Sequence, residues 1–248
     1  MKMKILGIVM SCLIAIPCFA LRVELSNDTF STSGRSANRN LFITNNSQKM
    51  IALEVYAQSR IMDSETGVDQ LEDVEDFLIY PNQLLLQPDE QQVVTLTWVG
   101  SQELSEEKAF RIIVEELNLS LGDEEMSEEE MTVKLAALTK VVKAAYVAPE
   151  DAKPNIYVLK SEVINAEDTK KIKITFNNSG TAHQILKQTQ INLTPVDESG
   201  NKLNDETLTI TPNELKGVLN ILAKSQRIIM IDWPEQFNES VSSVHVSL

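Results

Sequence analysis

Short runs rich in β-branched and aromatic residues recur along nearly the whole chain, and they restrict its fold more than any other feature. Asn40 to Thr44 (NLFIT), Ile51 to Ala57 (IALEVYA), Gln92 to Trp98 (QVVTLTW) and Phe110 to Glu115 (FRIIVE) are separated by turn formers, among them Asn45-Asn46-Ser47, Asp63 to Gly67, Gln87-Pro88-Asp89 and Gly100-Ser101. Strands of this length at this spacing predict an all-β sandwich, with seven or so strands between Val23 and Tyr146. A second series follows Pro149: Asn155 to Leu159, Lys171 to Phe176 (KIKITF), Gln190 to Leu193, Leu208 to Thr211 and Arg227 to Trp233 (RIIMIDW). Asn177-Asn178-Ser179-Gly180 and Glu198-Ser199-Gly200-Asn201 read as hairpin turns. Between the two series, Ala148 to Pro154 holds two prolines, two acids and no large apolar side chain, which is linker composition. The expectation is two consecutive sandwich domains, residues 21–148 and 155–248, joined by 149–154.

The first twenty residues begin with Lys2 and Lys4, continue through the apolar run Ile5 to Ile16 and end at Cys18, Phe19 and Ala20. This is the pattern of a secretory signal peptide, and the run is shorter than the roughly 20 residues that span a bilayer. Both cysteines, Cys12 and Cys18, lie within it, so the mature chain is expected to hold no disulfide and no thiolate metal site. Loss of two lysines moves the net charge from −14 to −16. A surface of that sign repels nucleic acid and anionic lipid.

Enzyme signatures are missing. His183 and His245 stand far apart, each without an acid at ligand spacing, and read as ordinary surface or packing residues. There is no phosphate-cradling glycine loop and no nucleophile elbow. The acidic run Asp123 to Glu130 lacks the central glycine of a calcium loop and reads as solvated charge. Trp98 and Trp233 both fall inside strand-like runs, where core packing is the simpler role than a sugar platform. No catalytic residue, metal or cofactor is predicted.

Downstream of the acidic run, Met131, Val133, Leu135 and Ala137 alternate with Thr132, Lys134 and Ala136. A period of two makes one face of an extended strand apolar. Leu135, Leu138 and Val142 also fit helical spacing, so local pattern leaves both forms open.

Phe77 to Gly100 (FLIYPNQLLLQPDEQQVVTLTWVG), followed by Lys108 to Asn118 (KAFRIIVEELN) and preceded by Leu41 to Asn46 (LFITNN), resembles the periplasmic pilus-assembly chaperones of the chaperone-usher pathway. The resemblance implies two immunoglobulin-like sandwiches in a boomerang and no enzymatic activity. It implies a periplasmic chaperone that lends an alternating strand to pilus subunits lacking their own final strand, then delivers them to an outer-membrane usher. On that reading Met131, Val133, Leu135 and Ala137 enter the client's groove, and the chain self-associates or stays capped when client-free. The family holds the subunit's terminal carboxylate with two basic residues. Counting five residues from Leu135 gives Lys140, and counting back from Tyr146 gives Lys143; the first register is preferred. The arginine that the family carries shortly before Phe30 is absent, since Asn27, Asp28 and Thr29 stand there, and Arg35 or Arg39 is the candidate substitute. Thr95 replaces the family's basic residue in the strand after Pro88. These departures suggest an archaic or alternate branch. The competing expectation is a secreted two-domain structural or adhesive protein whose apolar strand is internal.

Overall fold

The computed structural model describes residues 21–118, 138–166, 169–197, 199–203, 207–211, 219–238 and 240–248. The expected leader, the acidic run 123–130 and the alternating residues Met131, Val133, Leu135 and Ala137 lie outside these.

The first half contains ten strands: β1 (Leu21–Leu25), β2 (Thr29–Ser31), β3 (Asn38–Asn45), β4 (Ile51–Met62), β5 (Asp69–Asp73), β6 (Phe77–Tyr80), β7 (Gln83–Leu86), β8 (Gln91–Trp98), β9 (Lys108–Glu116) and β10 (Lys140–Ala148). The sequence count of seven was low because β2, β5, β6 and β7 are only three to five residues long, too short to show a period of two. One sheet runs β1-β3-β8-β6 and the other β2-β10-β9-β4-β5, with β7 also on β4. Their facing sides alternate inward residues such as Leu41 and Ile43, Val94 and Leu96, and Ile112 and Val114, all fully buried. At one end Phe77 meets Phe30, Trp98 and Phe110 edge-on at 5.1 to 5.3 Å between ring centres. Such contacts add about 0.5–1.5 kcal/mol each beyond area burial. Trp98 is therefore core, as its strand setting predicted.

The second half contains β11 (Ile156–Ala166), β12 (Thr169–Asn178), β13 (Gln184–Leu186), β14 (Ile191–Val196), β15 (Leu208–Ile210), β16 (Leu219–Ile221), β17 (Gln226–Asp232) and β18 (Ser243–Ser247). They form β11-β12-β17, β13-β16 and β15-β14-β18 around a separate core that includes Ile172, Ile174, Phe176, Leu193 and Val246. The fold is all-β, two immunoglobulin-like sandwiches.

One turn assignment is corrected. Residues 177–180 do not join a hairpin: β12 pairs with β11 and β17, whereas β13 pairs with β16, so the chain changes sheets there. Asn178, almost fully buried, braces this corner by donating to the carbonyls of Ala182, Ile221 and Leu222 while accepting the N–H groups of Asn155 and Gly180. Asn45 plays the same part in the first domain, donating to Lys49, Leu86 and Gln87 and accepting from Ser47. A buried amide with all partners in place is worth more than a turn residue's propensity, because leaving it unpaired costs about 1–3 kcal/mol.

Candidate functional site

β10 forms the end of the stretch for which helix and strand both remained open; it is a strand. Its odd residues face the core, with Ala145 and Val147 fully buried and Val141 packed beside them. Its hydrogen bonding is one-sided over most of its length. β9 pairs with it from Lys140 to Val147, but β2 covers the other side only at Tyr146, Val147 and Ala148. The Thr139 carbonyl accepts from Glu116 N–H, and Tyr146 N–H turns the other way to the Asp28 carbonyl. Backbone groups alternate direction along a strand. The N–H and C=O of Lys140, Val142 and Ala144 therefore point to an edge that no described strand occupies.

Lys143 and Lys140 leave this strand on opposite faces. Lys143 joins Val23, Glu24, Leu25, Ser26 and Phe42 around an open pocket of about 440 Å³ beside β1. Among the described residues its ammonium has no hydrogen bond or ion pair. Lys140 is already engaged: its Nζ lies 3.2 Å from Glu115 Oε2 and 3.0 Å from Tyr56 Oη, and Tyr56 donates to Glu115 at 2.5 Å. The bond from Tyr56, followed by that from Lys140, holds the Glu115 carboxyl below its ordinary range, and Lys140 is raised first by Tyr56 and then by Glu115. Burial, reinforced by the Glu115 carboxylate, raises the Tyr56 hydroxyl. Lys140 is exposed and Glu115 and Tyr56 are only partly buried, so the triad contributes little to stability.

The candidate arginines are not alike. Arg39 donates from Nε and Nη2 to the Thr29 carbonyl at 2.9 and 2.7 Å and from Nη1 to Asn38, straddling the Phe30 ring. It ties β2 to β3. Arg35 is exposed on the 3-10 turn Arg35–Ala37.

A second polar site, which sequence reasoning did not find, lies where the halves meet. The His183 ring stacks on Tyr146 at 3.6 Å, and its Nδ1 and backbone N–H both reach Glu107 Oε1, at 2.7 and 2.9 Å. Tyr146 Oη accepts from Asn220 Nδ2 at 2.8 Å and Arg60 Nη1 at 3.4 Å, and Arg60 and Arg111 share Asp69. His183 is thus a packing residue, at the contact between domains. The end of β10 is pinned there, next to its open edge. The only signal in the sequence was Tyr146 itself, a large polar aromatic just before the linker.

Residues 23–143 match the model of the pili and flagellar-assembly chaperone family, PapD N-terminal domain. The N-terminal domain belongs to this pilus-assembly chaperone family. Solved chaperone structures share the fold over both domains. A chain of the CsuC–CsuE chaperone–tip adhesion subunit pre-assembly complex, from archaic chaperone-usher Csu pili of Acinetobacter baumannii, superposes with a TM-score of 0.54 at 12% identity, covering 91% of this chain and 96% of that one. One from the Salmonella enterica SafA pilin–SafB chaperone complex gives 0.53 at 11%, covering 89% and 87%. The class 5 fimbriae chaperone CfaA gives 0.51 at 12%, covering 92% and 99%. No curated protein matches by sequence. This chaperone family is not a family of enzymes.

Proposed function

We propose that the chain acts in the periplasm, after removal of residues 1–20, by adding a strand to pilus subunits that lack one and delivering them to an outer-membrane usher. Residues 21–148 are the subunit-binding domain, 149–154 the linker and 155–248 the second domain. The observation that carries this reading is the open edge of β10. Three residues offer in line backbone groups that no described strand pairs, immediately after the alternating segment Met131, Val133, Leu135 and Ala137. An incomplete sandwich has the complementary need, a bare groove flanked by unpaired edges, and one strand answers both. Three large apolar side chains entering the groove contribute roughly 1.5–3 kcal/mol each before ordering costs. The same exposed edge supports self-association in the absence of client.

For the subunit's carboxylate, the favoured partner becomes Lys143 rather than Lys140. Its charge is uncommitted beside the open edge, whereas a client at Lys140 must displace Glu115. Arg39 already spends its donors on backbone carbonyls, which leaves Arg35 as the arginine without a structural duty. The test is co-purification of a cognate pilus subunit. Val133→Glu with Leu135→Glu should abolish it with the chaperone's melt unchanged, because a carboxylate in an apolar groove costs several kcal/mol. Thr132→Glu with Lys134→Glu should retain it. A lost melt in the first double variant would mean that these side chains are internal core, the structural or adhesive alternative, and the strand-donation reading would fall.

A further inference from the structure

β17 is the outer strand of the sheet β11-β12-β17, and its outward edge is covered at Ile228. The turn between β4 and β5, residues 63–68, belongs to the first domain and reaches across to this strand of the second. Ile228 N–H donates to the Ser64 carbonyl at 2.7 Å. The Arg227 guanidinium donates from Nη1 to the carbonyls of Ser64, Glu65 and Ile228, at 2.8, 2.9 and 3.2 Å. Both outward backbone groups of Ile228 are therefore satisfied, one by the turn directly and one through Arg227. Lys173 on the neighbouring β12 adds an ion pair to Glu65 at 3.2 Å.

The turn is shaped for the task. Asp63 accepts from the N–H groups of Glu65 and Thr66 and from the Thr66 hydroxyl, which locks the tip. Gly67 has φ +71°, and a Cβ there would overlap the Arg227 guanidinium. The backbone conformation favours glycine there, and any side chain would have to displace the guanidinium. An exposed strand edge is a template for pairing with another chain, and soluble proteins cover such edges. We propose that the β4–β5 turn is a cap that interrupts the β17 edge at Ile228 and so blocks its pairing with a second copy of this chain. The inference stands independently of what binds β10.

The experiment is amide hydrogen exchange at Ile228, with sedimentation velocity, on the full secreted chain and on Arg227→Ala and Gly67→Val. Antiparallel geometry turns Ile229 N–H inward to β12, so Ile229 is the internal control. Expected is a loss of Ile228 protection by about tenfold or more in both variants, Ile229 unchanged, and a concentration-dependent dimer beyond any formed by the unmodified chain. Unchanged Ile228 protection in both variants would overturn the cap. Loss of Ile228 protection without added self-association would overturn its role against a second copy.

Discussion

β10 and β17 both present an edge beside the domain junction, yet along β10 the outward groups of Lys140, Val142 and Ala144 meet no described strand, whereas the β17 edge is interrupted at Ile228 by a turn from the opposite domain. The difference is instructive because the physics of the two edges is the same. An uncovered edge invites pairing wherever it occurs. On the function proposed above, the six-residue turn, the left-handed glycine and the partly buried arginine break up one edge, and the uninterrupted one is kept for a partner. The guanidinium is held there despite the cost: burial lowers the Arg227 pKa, and the nearby Asp63 only partly opposes it.

The sharpest way to break this contrast is to close β10 chemically. Val142 N–H points to the open edge, so proline there removes a donor that β9 does not use, the one strand setting that tolerates proline. Val142→Pro should leave the melt almost unchanged and weaken subunit capture by roughly a hundredfold, through one missing ladder bond plus the ring's clash. Equal capture would show that the client does not pair along this edge.

A second variant tests whether the pinned end of β10 matters to stability. Tyr146→Phe removes the acceptor for Asn220 and Arg60 in a buried site, and two stranded donors should cost about 1–3 kcal/mol, read by urea denaturation. Next comes the anchor. Lys143→Ala should reduce subunit capture several-fold, while Lys140→Ala, which merely frees Glu115, should reduce it less; the reverse order would return the anchor to Lys140.

The fold was readable from strand-sized apolar runs and turn formers, because a sandwich core repeats a simple alternation. Even there, the short strands and the sheet change at Asn178 escaped, since three residues carry no period and an Asn-Asn-Ser-Gly run looks the same in a hairpin as in a corner. The basic candidates at 140 and 143 were visible but not separable. What separates them is the face of β10 each leaves from and the presence of Glu115 and Tyr56 across β9 and β4, which depends on register between distant segments. The contacts of Glu107, His183, Arg227 and the 63–68 turn were invisible for the same reason: each pairs residues more than 70 positions apart.

The smallest expected effect concerns acid. Thr66, through its backbone N–H and then its hydroxyl, holds the Asp63 carboxyl below the ordinary aspartate value of about 3.9. A carboxylate lowered on folding contributes stability that is present above its unfolded pKa and lost as pH falls through the folded one. The turn should therefore loosen only below about pH 4, seen as reduced Ile228 protection relative to Ile229. Asp63→Asn should remove that pH dependence.

Strand addition requires β10 to be open in the free protein and closed by a client, and amide exchange at Val142 and Ala144 reads this directly. In the free chain both amides should exchange quickly while Ala145 and Val147, bonded to β9, remain protected. Adding a cognate pilus subunit should slow Val142 and Ala144 by about tenfold or more. Protection of these two amides in the free monomer, or fast exchange in a stable complex, would contradict strand addition at β10.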